Sequence, residues 1–190
     1  MALRLVGGRD AAPRRSEPLP MLYVVALPVL ADKDRVALER LRAQYHPTEA
    51  GLIGPHFTLI FGAAPEEEQT LAAALAAVAA AHDPFWFRLD RLSRFDHPPP
   101  SKAAWLYALP HEGAGPLVAL HDALNPHPTG PEFEPHLTLG LFDSAAEAER
   151  VARIVGRQHL PIDGRVERLA LLRRDGDTLT AVASAELGAT

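Results

Sequence analysis

Pro55-His56-Phe57-Thr58-Leu59 and Pro135-His136-Leu137-Thr138-Leu139 are the same pentapeptide with one apolar exchange, eighty positions apart. Each sits in an otherwise apolar, strand-like run, over residues 54–61 and 134–142. Side chains alternate faces along an extended strand, so His56 and Thr58 point one way while Phe57 and Leu59 point the other. The second copy behaves identically: each offers one imidazole and one hydroxyl on a shared face and turns its apolar residues toward a core.

The rest of the chain alternates around these two runs. Residues 21–27 form a continuous apolar run that predicts a buried strand, with Pro28 ending it in a turn, and residues 32–45 follow as a helix with Asp32 as its cap and Leu38, Leu41 and Tyr45 at helical spacing. After the first histidine strand, Pro65 with Glu66, Glu67 and Glu68 opens a second helix, proline in the first turn and acids against the positive end of the dipole. Residues 85–95 and 103–109 read as strands on either side of a rigid His97-Pro98-Pro99-Pro100 loop, and residues 116–124 as a third helix. Ser144-Ala145-Ala146-Glu147 is a capping box that starts a fourth helix, and a final hairpin turns at Asp175-Gly176. The order strand, helix, histidine strand, helix, strand occurs twice. It predicts a duplicated α/β (α+β) fold of two lobes, each half a β-sheet with flanking helices, and a central cleft bearing the paired His-x-Thr strands.

Composition narrows the functional classes. A chain of 190 residues that is 47% hydrophobic buries one good core, so residues 21–190 are expected as a single two-lobed domain and residues 1–20, with four arginines among prolines and glycines, as a disordered arm. Cysteine is absent, which removes disulfides, thiolate metal sites and a cysteine nucleophile. The longest apolar stretch, residues 21–30, is too short to cross a bilayer, so a cytoplasmic protein without membrane attachment is expected. A formal charge of −5 argues against a nonspecific nucleic-acid coat.

Paired His-x-Thr motifs on equivalent strands of a duplicated α/β fold resemble the signature of the 2H phosphoesterase superfamily, which includes bacterial 2'-5' RNA ligase-like proteins and 2',3'-cyclic phosphodiesterases. The resemblance covers residues 21–186 and implies a metal-independent phosphoesterase, without a cofactor, acting on RNA termini or small nucleotides that carry a cyclic phosphate. It also implies a 2'-phosphate product and reversible 2'-5' RNA ligation. In-line displacement at phosphorus needs a base on the attacking oxygen and an acid on the departing one, and two imidazoles with an ordinary pKa near 6.5 supply both. His56 and His136 are therefore the catalytic candidates. The near-identical motifs do not decide which is acid and which is base; the assignment carried forward is His56 as acid and His136 as base. Thr58 and Thr138 are the candidate phosphate-binding hydroxyls, since donors matter where charge grows in the transition state. Lys102, just before a strand, resembles in placement a basic residue many relatives carry, and is taken as a further phosphate-binding group.

Phe95 is the candidate base-stacking ring, because Phe57 faces the core by parity. A lone histidine on a strand is ordinarily structural, and it is the duplication that reverses this. His121 and His127 lack the accompanying ligand spacing of a metal site, and none is expected. A monomer is expected for an enzyme with a single cleft. A noncatalytic nucleotide- or RNA-end-binding module on the same fold is the alternative; it does not require both histidines and both threonines.

Overall fold

The computed structural model describes residues 20–127 and 132–189, so the arm read at residues 1–20 lies, Pro20 apart, outside the described residues. Strand β1 (Met21–Leu30) leads to helices α1 (Asp32–Tyr45) and α2 (Pro47–Ala50), then β2 (Phe57–Ala63), α3 (Glu68–Ala81), β3 (Phe85–Asp96) and β4 (Ala104–Glu112). Helix α4 (Ala114–Leu124), β5 (Leu137–Phe142), α5 (Ala145–Gln158), β6 (Ile162–Asp175) and β7 (Thr178–Glu186) complete the order. Ser144 caps α5 as its sequence predicts, its Oγ accepting from the Glu147 amide at 3.2 Å, and Gly176 turns the last hairpin at a positive φ of 56°.

Three expectations change and one element is added. Pro28 does not end β1: the strand runs on to Leu30 through a register shift at Leu27/Pro28, where a residue without an N–H is tolerated. Asp32 is the first helical residue of α1 rather than its cap and instead pairs with Arg35 at 3.2 Å. The short helix α2, opened by Pro47, was not anticipated. Both histidines lie one residue before their strands, which start at Phe57 and Leu137, because Pro55 and Pro135 cannot donate to a ladder.

All strand pairings are antiparallel, in the order β1-β2-β5-β4-β3-β6-β7, with β1 also paired to β6. The duplication is interlocked. Strand β3, from the first half of the sequence, pairs with β4 of the second half, and β6, from the second half, pairs with β1 of the first. The first helices cross in the same way, α1 packing on β5 and α4 on β2. A single seven-stranded sheet therefore interleaves strands from both halves of the chain, in place of one separate sheet for each half. One face of this sheet is the core, with Leu22, Val24, Ala26, Phe57, Leu89 and Leu137 all fully buried under the helices. Gly140 shows how closely α1 is drawn in: a Cβ there would lie 2.6 Å from Tyr45 Cβ. That contact fixes the end of α1, and with it the segment that carries His56, against β5.

Candidate active site

The opposite face of the sheet opens where β2 meets β5. These strands share a single antiparallel pair, Phe57 with Leu137. Continuing that register by one residue on each side sets His56 opposite Thr138, and Thr58 opposite His136. Each histidine thus faces the threonine of the other motif about a local twofold. Alternation holds as the sequence predicts: Phe57 and Leu137 are fully buried, while His56, Thr58, His136 and Thr138 are half-buried on the other face.

Both imidazoles are held in the same way. His56 Nδ1 lies 2.9 Å from the Gly54 carbonyl and His136 Nδ1 lies 2.8 Å from the Glu134 carbonyl, each two residues back along its own chain. A carbonyl only accepts, so each Nδ1 carries the proton and each Nε2 keeps its lone pair in the neutral form. The twin motifs thereby present twin basic nitrogens.

Their electrostatic surroundings differ. Burial, first of all, pushes the His56 imidazole down to about 4; the Arg42 guanidinium adds to this, and the Gly54 carbonyl and Glu49 oppose it. Arg42 is a site residue that the sequence reading missed. It is 2% exposed, donates from Nη1 to the Ile53 carbonyl at 2.9 Å, and so braces the segment that delivers His56. Its position four residues after the buried Leu38, on the inward side of α1, was the available signal. Glu49 of α2 pairs with Arg174 beside it.

His56 also makes stability depend on pH. Its folded pKa lies below the unfolded value of 6.5, so the unfolded chain binds more protons between the two. The contribution is complete above the unfolded pKa and is lost as pH falls through the folded one, amounting to about 2–3 kcal/mol by pH 4.5. Urea unfolding at pH 7.5 and 4.5 is expected to show this loss in the wild type and to lack it in His56→Gln. Equal losses in both proteins would place the acid sensitivity elsewhere.

Two other candidates lie apart from the histidines. Lys102 is exposed and lines a shallow depression with Asp96, His97, Ser101 and Ser144 beyond the end of β4. Tyr107 is the β4 residue paired with Thr138; three residues of strand put Ala104 about 10 Å further along, and Lys102 lies two residues before it, outside the strand. Lys102 is therefore not brought to the histidine pair. Phe95 is 56% exposed at the rim, opposite Trp105 in the β3–β4 ladder. Tyr107 is the aromatic residue the fold does bring to the site, its ring centroid 4.2 Å from that of His136. Arg88, Arg91 and Arg94 are engaged with Asp163, the Pro110 carbonyl, and Asp96 with Glu149, so this stretch is a paired surface and not a basic patch. Among the described residues no helix is long and apolar enough to cross a membrane.

Solved structures share this architecture. The chain is similar to E. coli LigT complexed with 3'-AMP (20% identity, TM-score 0.57, covering 90% of this chain and 99% of that one). It is similar to TT0787 of Thermus thermophilus (21% identity, TM-score 0.57, 88% and 98%) and to Kluyveromyces marxianus Usb1 (10% identity, TM-score 0.51, 86% and 97%). At these identities the likeness is one of fold. No curated protein matches the chain. A family model described as the 2'-5' RNA ligase superfamily matches residues 30–178, a span that takes in both His-x-Thr motifs and strands β2 to β6. On that match the chain belongs to the 2'-5' RNA ligase superfamily, among the 2H phosphoesterases that its paired motifs resemble.

Proposed function

We propose that this protein hydrolyses 2',3'-cyclic phosphates on RNA ends or small nucleotides by paired-histidine acid/base catalysis, and that a 5'-hydroxyl attacking in place of water gives a reversible 2'-5' ligation. The observation that supports this most is the register about Phe57 and Leu137, which sets each imidazole opposite the hydroxyl of the other motif. A phosphate in that position has a basic nitrogen on two sides and two hydroxyl donors for its nonbridging oxygens. A water oxygen bonds to phosphorus as the P–O3' bond breaks. One imidazole takes the proton of the water, the other gives a proton to O3', and exchange with solvent resets the pair. The E. coli relative crystallised with 3'-AMP holds a nucleotide bearing a phosphate at the same ribose edge, which fits this substrate class.

His56 begins neutral in the free protein near pH 7, so its assignment as the acid requires a proton that arrives with the substrate. An anionic phosphate beside Nε2 favours the imidazolium and supplies the reason for uptake. The direct experiment is hydrolysis of the four nucleoside 2',3'-cyclic phosphates in EDTA across pH 5–9. Turnover with a bell-shaped profile and a 2'-phosphate product is expected; absence of turnover on these and on cyclic-phosphate RNA ends by folded protein would overturn the catalytic reading.

A further inference from the structure

The two motifs are near twins, but the strands beside them are not. Val25 of β1 pairs with Thr58, and Tyr107 of β4 pairs with Thr138, so these two residues occupy equivalent places on the two cleft walls. Val25 is 2% exposed and sealed in a small apolar cluster with Ala170 and Leu172, packed by Tyr23, Leu27, Ile53 and Leu179, and the Tyr23 ring there meets Phe61 edge-on and, among the described residues, lines up with no further ring. Tyr107 instead begins a row of rings. Its ring lies 4.2 Å from His136, and Trp105, two residues along the same strand face, lies 6.4 Å from it with the two planes only 12° apart. His97 continues the row 6.0 Å beyond Trp105 at 34°. Where the row ends, His97 and the exposed Lys102 line one depression, and the Asp96 carboxylate there is already paired with Arg94.

Parallel rings set side by side on a sheet face are surfaces on which successive unstacked bases lie, since every base has a π-face. A cation beyond the start of β4, whose first residue is already about 10 Å along the strand from the Tyr107–Thr138 pair, is misplaced for the scissile phosphate and well placed for a backbone phosphate further along a chain. Resting on the proposed function above, we infer that the β4 wall is a binding track for single-stranded RNA. The terminal cyclic phosphate lies between the histidines, the preceding bases stack on Tyr107 and Trp105, and Lys102 meets an upstream phosphate. The substrate class is then an oligoribonucleotide end and not a free mononucleotide.

The chain has two tryptophans, and Trp86 lies away from the row, 71% exposed beside Arg165, so a Trp86→Phe background isolates the fluorescence of Trp105. In that background a trinucleotide ending in a 3'-phosphate is expected to quench Trp105 at concentrations where a 3'-mononucleotide does not. The kcat/KM ratio of a trinucleotide 2',3'-cyclic phosphate to its mononucleoside counterpart should fall about 5- to 150-fold in Trp105→Ala and recover in Trp105→Phe. Lys102→Ala should lower the same ratio and flatten its dependence on salt. Hydrolysis of both substrates with no quenching and an unchanged ratio in both Trp105→Ala and Lys102→Ala would overturn the track and leave the acid/base reading standing. Quenching by the trinucleotide with no hydrolysis of either substrate supports the track while refuting the catalytic proposal.

Discussion

His56→Ala and His136→Ala are each expected to lower kcat on a 2',3'-cyclic phosphate by about 10²- to 10⁴-fold, the usual contribution of one general acid or base. Both side chains are half-buried on the face away from the core and leave the core layer beneath them unchanged, so circular dichroism and the melting temperature should stay close to wild type. Thr58→Ala and Thr138→Ala should give smaller losses, because a lost hydroxyl donor leaves proton transfer intact. Full activity in either histidine variant would end the two-histidine mechanism. The roles are separable as well. A bell-shaped pH profile is the same for either assignment, but a phosphodiester with a nitrophenolate leaving group departs without a proton. On that substrate His56→Ala should recover turnover while His136→Ala stays inactive; recovery of His136→Ala instead would exchange the acid and the base.

Phe57→Ala is expected to cost about 3–5 kcal/mol, which is a large part of the roughly 5–15 kcal/mol available to an ordinary domain. Phe57 is fully buried, its ring meets Phe87 edge-on at 5.1 Å and 87°, and its backbone supplies the one pair that joins β2 to β5. Removing the ring leaves a cavity directly beneath both motifs. The loss of activity should therefore exceed the loss of folded protein, as the seam that sets the histidine–threonine register loosens. Phe61, four residues on in the same strand, is the control: it is 79% exposed and keeps an edge-on contact with Tyr23 at 5.1 Å, so its replacement by alanine should cost only about 0.5–1.5 kcal/mol. Equal costs at the two positions, measured by urea unfolding, would contradict the placement of the core.

The period-two alternation around His56 and His136 carried most of what was legible. It sorted Phe57, Leu59, Leu137 and Leu139 inward and the histidines and threonines outward, and the burial follows that division. Local chemistry likewise marked Ser144 as a cap and Gly176 as a turn, because those signals act within a few residues. Less was legible where a position depends on distant chain. Arg42 reads as one more helical arginine until the helix is laid against the segment 51–56. Lys102 reads as a phosphate ligand until β4 is laid beside β5 and its distance along the strand is counted. Trp105 and Tyr107 read as ordinary strand aromatics until the sheet faces are known.

By itself, then, the sequence determined the duplication, the order of elements, the inward and outward faces of the two motif strands, and the pair of imidazoles with their hydroxyls. These follow from spacing and from side-chain chemistry, both of which are local. The tertiary structure alone decided that the halves exchange strands, that the two motifs meet antiparallel at Phe57 and Leu137, that His56 is kept neutral by burial, and that the ring of Tyr107 stands beside His136. Each of those depends on pairing and desolvation between segments far apart in the chain, and a linear pattern carries no term for either.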